Sequence, residues 1–130
     1  MADLKTTYMG LELKNPLIAG SSGLTHSVAK IKELEKAGIA AVVLKSLFEE
    51  QIKYEAGKAV SEGQVGHYYT EAEDYLHNYS KANKVDEYLK LIREAKEATS
   101  IPIIASINCV TSSEWINFAQ RIQAAGADAL

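Results

Sequence analysis

The 130-residue chain contains one cysteine, Cys109, so no disulfide can form within it, which suits a reducing compartment. It carries no excess of positive charge. The formal net charge of -3 excludes the basic footprint of a nucleic-acid-binding domain. No apolar run is long enough to span a bilayer, and the opening "MADLKTTYMG" has no signal-peptide core. The chain is therefore expected to remain in the cytoplasm, with neither nucleic acid nor membrane as a partner. His67 and His77 have no recognisable ligand spacing, so no metal site is expected. What remains is ordinary for a folded protein: 47% hydrophobic and 24% charged residues, enough to build a core in a single domain over 1–130.

The punctuation of the chain recurs. "NPLIAGSSG" reads as a strand followed by a small-residue loop, and "HSVAKIKELEKAG" as a helix with Val28, Ile31, Leu34 and Ala37 at helical spacing and Gly38 where a helix would stop. "IAAVVLKS" is a second strand. "VDEYLKLIREAKEAT" sets Val85, Tyr88, Leu89, Ile92 and Ala95 on one helical face, and "IPIIASI" is a third strand. Thr111 and Glu114 form a capping-box pattern ahead of "WINFAQRIQAAG", after which "ADAL" begins a fourth strand. The sequence helix, Ala-Gly, apolar strand occurs at "KAGIAAVVL" and again at "AAGADAL", the rhythm of repeated βα units with a parallel sheet and right-handed crossovers. Before it, "TTYMGLELK" reads as a hairpin outside the repeat. From Glu49 to Lys84 the chain is polar, tyrosine-rich and weakly periodic. This stretch, 49–84, is expected to be a long loop after the second strand, serving as a substrate lid.

Ligand sites of parallel α/β folds lie at the carboxyl ends of the strands. Three such ends are legible: "AGSSG", "LKSLF" and "ASINC". Ser21, Ser22 and Gly23 offer hydroxyls and an approachable backbone, Lys45 a cation, and Asn108 a two-way amide. Each has a plainer reading. The Ser-Ser-Gly turn can be only a turn, Lys45 can snorkel to solvent, Asn108 can satisfy backbone, and Cys109 can be a small core residue.

Taken together, "GLELKNPLIAGSSGLT" followed by "AGIAAVVLKSLFEEQI" resembles the opening of the dihydroorotate dehydrogenase family, flavin enzymes built on a (β/α)8 TIM barrel. "PIIASINCVTSSEWINFAQRIQAAGADAL" is similar to the flavin domain of dihydropyrimidine dehydrogenase, of the same superfamily. The resemblance implies an N-terminal hairpin and about three and a half βα units, half of a barrel that needs about 250 residues. It implies an FMN-dependent oxidoreductase acting on a dihydropyrimidine-like substrate such as dihydroorotate, in pyrimidine biosynthesis. Ser21, Ser22, Gly23, Lys45 and Ser46 would contact the flavin mononucleotide, Lys45 and Asn108 the substrate. Lys45 would stabilise the charge of the reduced ring, with the catalytic base expected beyond Leu130. On that view the chain is an inactive fragment completed by a missing half-barrel or a second copy. The family's asparagine-rich substrate loop has no counterpart between Phe48 and His77. Two other classes remain open: an aldolase-type lyase with Lys45 as Schiff-base lysine, and a non-catalytic barrel.

Overall fold

The computed structural model of the chain describes residues 2–49 and 70–130. The chain opens with an antiparallel hairpin, β1 (Thr6–Tyr8) and β2 (Leu11–Leu13), turned at Met9 and Gly10. Both turn residues have positive φ, 52° and 75°, the combination that a tight two-residue hairpin turn demands. Strand β3 (Ile18–Ala19) leads to helix α1 (Val28–Lys36). Strands β4 (Ala41–Val43) and β5 (Leu47–Phe48) follow, and later the long helix α2 (Thr70–Ala98). Strands β6 (Ile103–Ile104) and β7 (Ile107–Asn108) precede the last helix, α3 (Ser112–Ala125).

Strands β3, β4 and β6 form a parallel sheet in that order, and Ala129 bridges Ile104 in parallel on the other edge of β6. Each new strand is thus laid beside the previous one, an order compatible with part of a barrel. The strand expected at "ADAL" begins where this bridge falls. Both faces of the sheet are covered, which is why its strands are nearly continuous apolar runs. Val42, Leu44, Ile103 and Ala105 pack with Ile31 of α1, Val85, Tyr88, Leu89, Ile92 and Ala95 of α2, and Phe118, Ile122 and Ala125 of α3. On the opposite face, Ala41 and Ile104 pack with Ala40 and with Leu13 of the hairpin. The helical face read from 85–95 is therefore buried in the second half of α2. No helix among the described residues is long and apolar enough to cross a membrane.

Helices α1 and α3 both end at a glycine in the left-handed region, Gly38 at φ 97° and Gly126 at φ 96°. A side chain is strained there, so the two Ala-Gly pairs stop the helices where the next strand must start. Asp128 then ties the unit together. Its carboxylate accepts from the Ile103 amide at 2.8 Å and pairs with Lys96 at 2.8 Å. Glu35 does the same for the preceding unit, accepting from both the amide and the hydroxyl of Ser100 at 2.7 Å.

Three expectations need correction. Thr70–Lys84 is helical and forms the first half of α2, so the loop expected over 49–84 does not extend that far; residues 50–69 lie outside the described residues, and the lid assigned to them is not described. The second and third strands are not continuous. Each is interrupted, between β4 and β5 and between β6 and β7, where the two fall out of register. Finally, Thr111 is the N-cap of α3, but its hydroxyl makes no capping bond.

The two hydrogen bonds from Ser100 hold Glu35 below the ordinary glutamate pKa. A lowered pKa stabilises the fold above the unfolded value, and that contribution disappears as pH falls through the folded value. Glu35→Gln is therefore expected to lower the urea midpoint at pH 7 and to cost progressively less below pH 4, converging on the wild type in acid.

Candidate functional site

The site begins with a mismatch between two strands. Val43 pairs with Ile104 and Leu47 pairs with Ile107, so four steps along one strand oppose three along the other. One extra residue sits in the stretch Leu44–Ser46, a bulge, and bulges re-aim side chains next to functional sites. Face parity shows its effect. Ile103, Ala105 and Ile107 alternate regularly onto the helix side, but on the bulged strand Leu44 and Leu47 both reach that side although three positions apart. Between them, Lys45 is exposed and Ser46 half-buried at the carboxyl end of β4. A buried strand can therefore carry a lysine because the bulge takes it out of the alternation.

Bulging leaves backbone N–H groups without strand partners, and hydroxyls satisfy them. The Ser46 amide donates to Ser21 Oγ at 2.9 Å, and the Ser106 amide donates to Tyr88 Oη, also at 2.9 Å. Tyr88 in turn donates to the Ser106 carbonyl at 3.1 Å, an oxygen that also accepts from the Leu47 amide. The serine hydroxyls continue the chain: Ser21 Oγ to Ser46 Oγ is 3.1 Å, and Ser46 Oγ to Ser106 Oγ is 2.6 Å. Three strand ends, after β3, β4 and β6, are thereby joined by one line of hydroxyls. Burial pushes the Tyr88 hydroxyl up to about 12, although its bond to Ser106 pulls the other way. It stays a neutral group that can donate and accept at once.

The neighbouring turn is self-contained. Thr25, fully buried, donates its hydroxyl to the Ser22 carbonyl, and Ser22 Oγ accepts from the Leu24 amide at 3.2 Å. Ser22 is thus committed to its own turn, while Ser21 reaches across to β4. The Gly23 carbonyl accepts from Lys30 Nζ at 3.2 Å and meets the His26 ring. A Cβ built on Gly20 or Gly23 would meet nothing within 4 Å. The protein's own packing does not demand glycine at either position.

Beyond the bulge, Glu49 is 1% exposed, and its carboxylate accepts from the amides of Val110 at 2.7 Å and Thr111 at 3.3 Å. These are the N–H groups just ahead of α3, where a negative charge is favoured by the helix dipole. Glu49 thus serves the end that the Thr111 hydroxyl leaves uncapped. Asn108 pairs with Phe48 in the β5–β7 ladder and is exposed, whereas Cys109 packs into the helix-side core, its carbonyl accepting from Trp115 Nε1 at 3.1 Å.

Of the residues singled out in the sequence, Ser21 and Ser46 are in contact. Ser22 and Gly23 stand in the adjoining turn, and Lys45 and Asn108 are exposed beside the joined strand ends. Neither the Lys45 nor the Asn108 side chain has a hydrogen-bond or ion-pair partner among the described residues. Sequence reasoning missed Ser106, Tyr88 and Glu49. Ser106 had a signal, since it follows an apolar strand as Ser46 does. Tyr88 was read as core by its spacing, but a buried tyrosine needs a partner for its hydroxyl.

These features define an α/β protein with a polar, cationic site at the carboxyl ends of parallel strands. Two curated proteins align with the whole of this chain over 132 residues at 30% identity, the dihydroorotate dehydrogenase B (NAD(+)) catalytic subunits of Thermoplasma acidophilum and Thermoplasma volcanium. The chain is thus related along its full length to part of the dihydroorotate dehydrogenases, as its motifs suggested. It spans 41% and 40% of those relatives. No family model matches it.

Removing the Glu49 carboxylate leaves the Val110 and Thr111 amides without that acceptor. Glu49→Ala is expected to cost about 1–3 kcal/mol of unfolding free energy, measured by urea denaturation, with the loss centred on the N-terminus of α3 in amide exchange.

Proposed function

We propose that the protein is a dihydroorotate dehydrogenase-like oxidoreductase that binds flavin mononucleotide at the carboxyl ends of its strands, in a (β/α)8 barrel of which this chain forms part. The observation that carries this reading is Lys45: a cation delivered by a bulge to the strand-end site, without an anionic partner among the described residues. A fixed cation of this kind suits a ligand that becomes negative on reaction. The glycines fit as well. Gly20 and Gly23 have open space where a Cβ would sit, room that a planar ligand could use.

Flavin mononucleotide, when bound, supplies a two-electron acceptor for hydride from the substrate. The residues of this chain would do the rest. Lys45 would hold positive charge beside the reduced ring and orient the substrate, while Ser21 and Ser46 would shape the floor on which the ring lies. Ser22 and Gly23 would form the rim, and Asn108 would bind a substrate carbonyl or ring nitrogen. Cys109 is not proposed as the base, because it belongs to the core. The proposed substrate is a dihydropyrimidine-like ring, with dihydroorotate the first to try. A Schiff-base mechanism is less well supported, since Lys45 is exposed rather than enclosed by the apolar side chains that such a lysine depends on.

The test is visible absorbance of the protein purified at the full length of its relatives. Flavin bands are expected, together with bleaching on addition of dihydroorotate under anaerobic conditions. Lys45→Ala should slow that bleaching by about a hundredfold or more. A colourless protein that takes up no added flavin mononucleotide would sink the proposal.

A further inference from the structure

We infer that Tyr88, a residue of α2 packed on the helix side of the sheet, is a positioning residue that holds the Lys45–Ser46 bulge in its working shape. The bulge opens the ladder on both strands. On the β6–β7 side the orphaned Ser106 amide is taken by the Tyr88 hydroxyl, which also grips the Ser106 carbonyl, so one phenol fixes both polar groups of that peptide segment. Ser106 is then held where its own hydroxyl meets Ser46 Oγ at 2.6 Å, and Ser46 is held from its other side by Ser21. Lys45 is the residue immediately before Ser46. Its backbone direction is set by a chain that ends, buried, at Tyr88.

The geometry also excludes a simpler role. A tyrosine used only to fill the core would be replaceable by phenylalanine at small cost, because the ring is what it contributes to the helix-side cluster. Here the hydroxyl is bonded twice. Nor is the line of hydroxyls a proton path from Tyr88, since its proton is committed to the Ser106 carbonyl and burial keeps the phenol neutral. Its work is geometric. Removing the oxygen leaves a part-buried amide without its acceptor at the one place where the two strands are out of step.

The functional arm of this inference rests on the flavin reading above, and the experiment separates the two. Tyr88→Phe is compared with wild type and with Ile122→Val, a core variant in α3 beside Ala127, outside the hydroxyl line. The measurements, on the full-length protein, are amide exchange at Ser46 and binding of added flavin mononucleotide to the apoprotein. Tyr88→Phe is expected to speed exchange at Ser46 about tenfold and to weaken flavin binding about tenfold, while Ile122→Val changes neither by more than about twofold. Faster exchange at Ser106 with Ser46 unchanged would overturn the inference, since the effect would stop at the lost bond. Unaltered flavin affinity in Tyr88→Phe would overturn it as well. A wild-type protein that binds no flavin would defeat the flavin reading instead, and exchange at Ser46 would still decide whether Tyr88 holds the bulge.

Discussion

A single extra residue between β4 and β5 is the constraint on which the site depends. Strict alternation along a doubly buried strand would place every side chain on one of two apolar faces, and a lysine there would meet either the helices or the hairpin side. Shifting parity by one lets Leu44 and Leu47 both contribute to the helix-side core and releases Lys45 and Ser46 between them. The cost is a broken ladder. Its open amides are closed by groups from elsewhere: Ser21 from the loop after β3 and Tyr88 from α2. The same bulge carries the strand on to Glu49, whose carboxylate reaches the start of α3.

This arrangement explains why the site is assembled from four sequence regions without a long-range ion pair at its centre. Hydroxyls suit the task because each can both donate and accept, so a line of them can adapt to two strands in imperfect register. Charged latches are used further out, at Glu35 with Ser100 and at Lys96 with Asp128, where they fasten one βα unit to the next. The line of hydroxyls runs from the buried Tyr88 through half-buried Ser106 and Ser46 to exposed Ser21, and the Lys45 cation is exposed beside it.

Much of the fold is legible in local pattern. The helical spacing of Ile31, Val85, Leu89 and Ile92, the Ala-Gly pairs at Gly38 and Gly126, and the turn at Met9–Gly10 all declare themselves within a few residues, because periodicity and positive φ are short-range properties. Other elements misled. Thr70–Lys84 is weakly periodic yet helical, continuous with a strongly amphipathic segment that extends it. Thr111 and Glu114 have the spacing of a capping box, but a carboxylate remote in sequence, Glu49, occupies the amides ahead of the helix. Local propensity lost there to a tertiary partner.

The sequence by itself determined the order of strands and helices, the apolar faces, and which loops would gather at the carboxyl ends, since these follow from spacing along one chain. Only the tertiary structure decided that Lys45 stands on a bulge, that Ser21, Ser46 and Ser106 form one line, and that Tyr88 closes it. Register between strands is a relation between residues about sixty positions apart, 43 with 104 and 47 with 107. No local pattern records that one strand spends a residue more than its neighbour.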